Sequence, residues 1–253
     1  MPFTTAHIAA ILPLKKYCPH VLSISSLAIG SMVPDFEYFI RMTLYGHYGH
    51  TLIGIFTFDL PVGLILYIIF HQFIRLPTLT YLPTYLYSKF GSAAHFEWQP
   101  TFFKDLAKIL LSLFIGTMTH FIWDSFTHDE EYIFAKYVPI LIQNVSVLGY
   151  RTPLHFLLQI FSTFTGMIIL FWHIHLLPKK YSGQVKSTQK IFNFWIFVLI
   201  LAVIIGFIRW SIGMPNEKFI GQLIVVCVSS SLLSLLIVCI ISTKKLNVIT
   251  KYL

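Results

Sequence analysis

The sequence predicts an all-α fold, a polytopic membrane bundle of about five full spans that follows a half-inserted N-terminal helical hairpin. Hydrophobic residues make up 56% of the 253 residues and charged residues only 11%, and the mean hydropathy is +0.75. A water-soluble domain carries about a quarter charged residues, so this chain could not cover its surface in water. Several apolar runs reach the roughly 20 residues that a helix needs to cross the hydrocarbon.

The first two apolar segments, Ala6–Leu14 and Val21–Val33, are each too short to cross a bilayer. Pro34 closes the second segment, because the residue before a proline disfavours the α-helical region. We expect the two segments to form a hairpin that enters the membrane only part of the way. Such a hairpin places His7 and Asp35 at the same end.

Five later segments are long and apolar enough to span the membrane. Asp59 lies inside the first of them, where we expect it to pair with a polar residue on a neighbouring helix. The predicted spans are Leu52–Phe73, Leu106–Trp123, Leu154–Leu176, Phe192–Ile212 and Ile220–Ile241.

The basic residues set the predicted orientation. The connection from Lys179 to Lys190 is the most basic, so the positive-inside rule places it in the cytoplasm. Alternation then puts the connections near residue 15 and at 75–105, and the C-terminus, on the same side. The acidic run Asp129–Glu131 falls outside, which agrees with this orientation.

The net charge of +8 does not indicate nucleic-acid binding. The basic residues form short clusters at the ends of apolar runs, where they set topology and contact anionic lipid. Membrane lipid is therefore the expected partner, nucleic acid is not, and no protein partner can be identified. Cys18, Cys227 and Cys239 have no close or metal-type spacing, so we predict neither a disulfide framework nor a cysteine zinc site.

The sharpest local motif lies at the end of the second span, where Asp124 follows His120 by four residues. Residues with this spacing share one helix face, so both side chains could bind one ion. His128 lies about 12 Å from His120 by helical rise, so the three residues cannot all bind the same ion. His128 would bind a second ion, contact substrate or have no role.

The predicted topology brings the other candidate ligands to the same membrane face. His50 begins the first span on the outer side, and His120 and Asp124 end the second span on that side. His7 and Asp35 share one end of the hairpin. Lysine and arginine alone set the orientation, so this convergence is independent support for a site.

Three imidazoles and two carboxylates form a nitrogen and oxygen site that suits zinc best, with manganese or iron as alternatives. More than four ligands leave room for two ions that share a carboxylate. Such pairs lie about 3.5–4 Å apart and activate water for attack on phosphoesters. The expected cofactor is one or two divalent metal ions, zinc first.

Two further residues have competing interpretations. His47 is either an additional ligand or half of an outer-interface pair with His50. Glu37 is a candidate catalytic base, but an acid just after Pro34 more often stabilises a helix N-terminus. The predicted domains are a metal-site domain at 1–176, a basic cytoplasmic loop at 177–191 and a two-helix membrane hairpin at 192–253.

Several ordered motifs carry a resemblance to a known family. They are Met1–Thr4 with His7, Gly30–Phe39, His50–Phe56, Asp59–Pro61 and Gly116–His128. In these motifs the chain resembles a bacterial membrane family designated domain of unknown function 4184, over about residues 1–175. The resemblance implies a bacterial cytoplasmic (inner) membrane location and no established substrate.

More distantly, the order His, Pro-Asp, His-x-x-His, His-x-x-x-Asp is similar to inner-membrane metal-dependent hydrolases and to the all-helical zinc-dependent phospholipase C fold. That likeness implies five metal ligands, with Asp124 as a bridge: His7, Asp35, His50, His120 and Asp124. The phospholipases have a further His-x-x-x-Glu pair that this chain lacks, so the likeness does not extend to a complete three-metal site.

Three functional hypotheses follow from the sequence. The first is a membrane-embedded metal-dependent hydrolase acting on a phosphoester or lipid-borne substrate. The second is a divalent-metal transporter or sensor, which would need polar residues deep in the last three spans. The third is a non-catalytic scaffold whose polar cluster pins helices together without metal.

Overall fold

A computed structural model describes residues 4–251 except 19, 129–137, 148, 182, 184 and 214–217, with the side chains of 15, 16 and 244–251 also left out. The described residues are 76% helical with almost no strand among them, which confirms the predicted all-α class. The acidic run Asp129–Glu131 lies outside the described residues.

The helices follow the predicted segments closely. In chain order they are α1 (Ile8–Tyr17), α2 (Ile24–Gly30), α3 (Phe36–Arg41), α4 (Leu52–Thr80), α5 (Thr84–Phe90), α6 (Leu106–Thr127), α7 (Leu154–Leu176), α8 (Thr188–Ser211) and α9 (Phe219–Lys251). Two π-helical turns interrupt α4, at Ile55–Asp59 and Phe70–Ile74. Short 3-10 turns lie at Thr4–His7, Val33–Asp35, Gly91–His95 and Pro139–Ile142.

Among the described residues, five helices are long and apolar enough to cross a membrane: α4, α6, α7, α8 and the Phe219–Thr243 part of α9. The multi-pass membrane fold is therefore confirmed. The helix α6 extends past the predicted end at Trp123, because the hydroxyls of Ser125 and Thr127 donate to carbonyls one turn back. The two hydroxyl groups at the polar end of the span therefore find their hydrogen-bond acceptors within the helix.

A small β-hairpin precedes α7. Strand β1 (Asn144–Val147) pairs antiparallel with β2 (Tyr150–Pro153), with Asn144 opposite Pro153.

The chain forms two compact units. The first contains the described residues of Met1–Glu37, Gly46–Leu64 and Asp105–His175. In it α1 and α2, the two arms of the predicted hairpin, contact each other and α6. Ile11, Leu22 and Leu27 form a buried apolar cluster between these arms.

A pair of glycines brings α2 unusually close to α6. A Cβ on Gly30 would collide with the backbone of Leu113, and one on Gly116 would collide with the carbonyl of Leu27. Only glycine allows this approach, since it has no side chain. The hydroxyl of Thr117 donates to the carbonyl of Gly30 across the contact, 3.3 Å away.

The second unit contains the described residues of Tyr38–Tyr45, Ile65–Lys104 and Leu176–Leu253. Within it α8 and α9 pair along their length around a buried cluster that includes Phe194, Val198 and Val238. The Ser234 hydroxyl donates to the Val198 carbonyl at 2.6 Å, so this buried polar group is satisfied. The predicted division of the chain at residues 176 and 192 stays a prediction.

Candidate metal centre

Four side chains with metal-binding donor atoms lie together in the first unit: Asp35, His50, His120 and Asp124. One donor atom from each lies within 4.8 Å of the donor atoms of the other three. Asp35, His120 and Asp124 are at most 1% exposed, and the His50 side chain is 13% exposed. The cluster could therefore hold a metal ion.

The nitrogen–oxygen separations fit a single small ion. Nε2 of His120 lies 3.1 Å from Oδ2 of Asp124 and 3.7 Å from Oδ1 of Asp35. Nε2 of His50 lies 3.3 Å from the same Asp35 oxygen and 3.7 Å from the same Asp124 oxygen. Four ligands about 2.1 Å from a tetrahedral ion are about 3.4 Å apart, so these spacings match a four-coordinate site.

The helix α6 places His120 and Asp124 one turn apart on a single face, as the sequence predicts. The close contact between α2 and α6 sets the imidazole of His120 against the end of α2. There Nδ1 donates to the carbonyl oxygen of Ser31 at 2.9 Å. This bond directs Nε2 toward the carboxylates.

Asp35 enters the cluster from the 3-10 turn Val33–Asp35. Its Oδ2 accepts a hydrogen bond from the Thr4 hydroxyl at 2.6 Å, which leaves Oδ1 facing the two imidazoles. Burial alone would raise the pKa of Asp35, but His120 and His50 outweigh it and hold the pKa below its usual range. Asp35 is therefore ionised at neutral pH, the form that binds a cation.

His50 reaches the cluster from a loop that Glu37 holds in place. The Glu37 carboxylate is buried and accepts the backbone N–H groups of His47, Tyr48 and Gly49 at 2.7–2.9 Å. A Cβ on Gly49 would also collide with the carbonyl of Pro34, so the loop lies tightly against the Asp35 turn. In the structure Glu37 anchors this loop, and its predicted catalytic role stays a prediction.

His7 and His128 face the second carboxylate oxygen of Asp124, and the ring of His7 stacks on that of His120 at 4.1 Å. Nε2 of His7 and Nδ1 of His128 are each 3.5 Å from Oδ1, whereas His50 and His120 face Oδ2. Burial, helped by the neighbouring His120, lowers the pKa of His7 to about 3. Burial also lowers the pKa of His128 to about 4. Both imidazoles are therefore neutral near pH 7. The Gln159 amide donates to Nε2 of His128 at 2.9 Å, so the ring proton of His128 lies on Nδ1, which faces Oδ1 of Asp124.

The buried polar atoms of the cluster fit a cation. Oδ1 of Asp35, Nε2 of His120 and both Asp124 oxygens are buried, and within the part of the chain that the structure describes their polar contacts are ion-pair contacts within the cluster rather than well-aligned hydrogen bonds. A divalent cation would satisfy these atoms together, because it binds carboxylates and neutral imidazoles.

The structure places His47 outside the group of four. Its side chain is exposed and its ring lies 6.3 Å from that of Tyr48. Its contribution to the site is the backbone N–H that binds Glu37.

Asp59 is fully buried in the first π-helical turn of α4. Neither of its carboxylate oxygens has a hydrogen bond to any described residue, so the expected polar partner is not a hydrogen-bonded one. Its carboxyl group interacts electrostatically with His120, Glu37 and Asp35. These interactions place Asp59 in the surroundings of the cluster. It lies in a π turn, and such turns are frequent at functional sites.

Sequence reasoning missed several groups that support the cluster. Thr4 binds Asp35, and the Gln159 amide lies 2.9 Å from Nε2 of His128. The Trp123 indole lies 5.4 Å from the ring of His7, tilted against it. Trp123 and His128 lie one residue before and four residues after Asp124, so the sequence could have indicated that both border the site. No sequence pattern connects Gln159 with the site.

The comparisons with known proteins identify a family and no activity. The sequence profile of the family described as "Domain of unknown function (DUF4184)" matches residues 1–240. No curated protein and no solved structure is significantly similar to the chain. The match covers nearly the whole chain, including the five-span fold and every residue of the cluster. The chain belongs to the DUF4184 family.

Proposed function

We propose that the chain is a membrane-embedded, zinc-dependent hydrolase of phosphoesters. The observation that carries this proposal is the buried group of Asp35, His50, His120 and Asp124, with donor atoms spaced as in a four-coordinate site. Two nitrogen and two oxygen donors favour zinc over magnesium or calcium, which prefer oxygen ligands alone.

A bound divalent ion would supply Lewis-acid charge for phosphoryl oxygens. With four protein ligands in place it would have to accept water as a fifth ligand, or release one protein ligand, before it could lower the pKa of that water toward neutrality. The chain itself orients the ligands: Ser31 fixes His120, Thr4 fixes Asp35 and the Glu37 loop fixes His50. Such supporting contacts hold ligands in a productive geometry. Trp123 limits the access of water at the His7 side.

The two oxygens of Asp124 support a second ion. Oδ2 faces His50 and His120, and Oδ1 faces His7 and His128, so Asp124 would bridge two cations. Paired ions that share a carboxylate clamp the attacking and leaving oxygens of a phosphoester. The neutral imidazole of His7 suits this ligand role. His128 would suit it once the Gln159 amide turns over, so that its oxygen accepts from Nε2 and Nδ1 is left with a lone pair.

We also propose that the protein lies in a bacterial cytoplasmic membrane with its C-terminus in the cytoplasm. The basic connection from Lys179 to Lys190 supports this orientation through the positive-inside rule. The cluster then lies at the outer face, because His120 and Asp124 end α6 on that side. We expect a reporter fused to the C-terminus to be located in the cytoplasm. A reporter located in the periplasm would refute the orientation.

The test uses protein purified in detergent without a histidine tag. We expect bound zinc and hydrolysis of bis(p-nitrophenyl) phosphate that a chelator abolishes and zinc restores. Asp124→Ala should lose both metal and activity, whereas Asp105→Ala, at the opposite end of α6, should keep both. Metal-free parent protein, or activity that survives chelation, would refute the proposal.

One outcome would favour the transporter alternative. Protein that binds zinc stoichiometrically, hydrolyses no phosphoester and carries zinc into proteoliposomes would be a metal transporter. In the described last span the buried hydroxyls of Ser229 and Ser234 each donate to a backbone carbonyl, whereas the buried Ser230 hydroxyl has no hydrogen bond to a described residue and is the group that a transport path would use.

A further inference from the structure

An open apolar groove of about 460 Å³ lies between α1, α6 and α7. Its apolar walls are formed by Ala10, Ile122, Phe126, Leu158 and Phe161. None of the described residues that line it carries a charge. A volume of this size is typical of small-molecule sites, which are mostly apolar with few polar groups.

The groove shares a wall with a small polar cavity at the metal cluster. Trp123, Thr127 and Ser162 line both spaces. The Trp123 indole N–H donates to the Ser162 hydroxyl at 3.2 Å, which fixes the ring at the junction. The polar cavity is also lined by His7, Asp35, Asp124 and His128. The groove therefore lies beside the cluster, and the polar cavity, of about 10 Å³, must widen at this wall to admit a phosphate.

The groove runs along the spans rather than across them. On α6 it extends from Thr127, beside the cluster, to Thr119, which is about 12 Å away by helical rise. This direction leads from the membrane face toward the middle of the span. Lipid acyl chains run the same way, because they lie along the bilayer normal as spanning helices do.

The groove opens toward hydrocarbon. Ile122, Phe126 and Phe161 are 51%, 43% and 70% exposed on helices that span the membrane. Large exposed apolar side chains on such helices face lipid tails. The open side of the groove is thus supplied with acyl chains. Behind its Trp123 wall lie buried carboxylates and imidazoles that suit a cation, and a bound cation would in turn attract a phosphate.

We propose that this groove binds one acyl chain of a membrane phospholipid and delivers its phosphate to the cluster at Asp124. The phosphate half of this inference rests on the proposed hydrolase function. The acyl half rests on the groove alone, so the two can fail separately. The substrate class is then a lipid phosphodiester rather than a water-soluble one.

Photo-crosslinking tests the acyl site without any need for catalysis. Chelated protein is incubated with phosphatidylglycerol that carries a diazirine in one acyl chain, irradiated, and mapped by mass spectrometry. We expect cross-links concentrated on Ile122, Phe126, Leu158 and Phe161. Cross-links spread evenly over the exposed residues of α7 would mean annular lipid only and would overturn the inference.

Ala10→Trp fills part of the groove. We expect about tenfold fewer of these cross-links, because the acyl chain would lose the burial of roughly two methylene groups and its affinity would fall by that factor. Leu158→Trp serves the same purpose should the first variant fail to purify as a monodisperse protein. The matched control is Ile168→Trp, at a 66% exposed position of α7 outside the groove. Equal cross-linking of the groove residues in all variants would refute a specific acyl site.

Hydrolysis gives the second readout. In Ala10→Trp the kcat/KM for dioleoyl phosphatidylglycerol should fall about tenfold relative to that for bis(p-nitrophenyl) phosphate, on the same loss of burial. In Ile168→Trp the ratio should be that of the parent. A parent that cleaves neither compound defeats the hydrolase proposal, while the cross-linking pattern still decides the groove. An equal fall in kcat/KM for both compounds in Ala10→Trp would contradict acyl-chain recognition.

Discussion

Nδ1 of His120 lies 2.9 Å from the carbonyl oxygen of Ser31, and because a carbonyl only accepts, the imidazole donates this bond. The other ring nitrogen, Nε2, then points at Asp35 and Asp124. A hydrogen bond at one imidazole nitrogen commonly sets the metal-binding geometry of the other. The orientation of His120 thus depends on how closely α2 approaches α6.

Gly30→Ala should weaken both the fold and metal binding. The new Cβ would collide with the backbone of Leu113 and push α2, with Ser31, away from His120. Overpacking of this kind costs about 1–3 kcal/mol. We expect a lower melting temperature in detergent and a higher Kd for zinc.

Gly63→Ala is the matched control for this change. Its Cβ would meet only the flexible end of the Leu113 side chain, which can move. A zinc Kd raised equally in both variants would show that the close backbone contact does not orient the ligand.

Glu37→Ala should release the loop that carries His50. The change leaves the N–H groups of His47, Tyr48 and Gly49 without their acceptor, and each hydrogen bond to a charged group contributes about 1.5–3 kcal/mol. We expect a large loss of thermal stability and of bound metal. Exposed Glu97→Ala, as control, should change the unfolding free energy by less than about 0.5 kcal/mol.

Glu37→Gln separates anchoring from catalysis. Its amide keeps only one acceptor oxygen, so an anchoring residue would lose part of both stability and metal affinity. Unchanged melting and metal content with lost hydrolysis would instead identify Glu37 as a catalytic base.

His7→Ala and His128→Ala should each remove the second ion and keep the first. Both imidazoles face Oδ1 of Asp124, whereas those of His50 and His120 face Oδ2. If two ions bind as proposed, the metal content measured by mass spectrometry should fall from about two equivalents to about one.

The control for these variants is His20→Ala, an exposed histidine in the same unit. It should leave the metal content at that of the parent. Retention of all metal in His7→Ala and His128→Ala would restrict the site to the four central ligands.

Chelation should destabilise the parent protein and leave Asp124→Ala unaffected. A ligand present at 100 times its Kd stabilises the folded state by about 2.7 kcal/mol, and a chelator removes this contribution. Differential scanning fluorimetry in detergent measures the shift. If Asp124→Ala costs the same stability with and without chelator, the polar cluster only holds helices together, as in the scaffold hypothesis.

The central part of the site could be predicted from the sequence because it follows from regular geometry. His120 and Asp124 share a helix face whatever surrounds them, and alternating spans bring His50 to the same membrane face. The hairpin prediction placed His7 and Asp35 at the same end. In the structure His7 contacts Asp124, and Asp35 contacts His50 and His120.

The rest depends on tertiary contacts with no periodic signal. The Thr4 hydroxyl meets Asp35 only once the 3-10 turn forms, and Gln159 meets His128 only once α7 is placed. Rise along an ideal helix separates His128 from His120, but it does not show which oxygen of Asp124 each would face. The acyl groove likewise arises from three helices and is invisible in any one segment.

An anomalous diffraction map at the zinc edge, from crystals grown with zinc, tests the central claim most directly. We predict a strong peak about 2.0–2.2 Å from Nε2 of His50, Nε2 of His120, Oδ1 of Asp35 and Oδ2 of Asp124. A map with no peak there, and with the imidazoles bonded directly to the carboxylates, would contradict it.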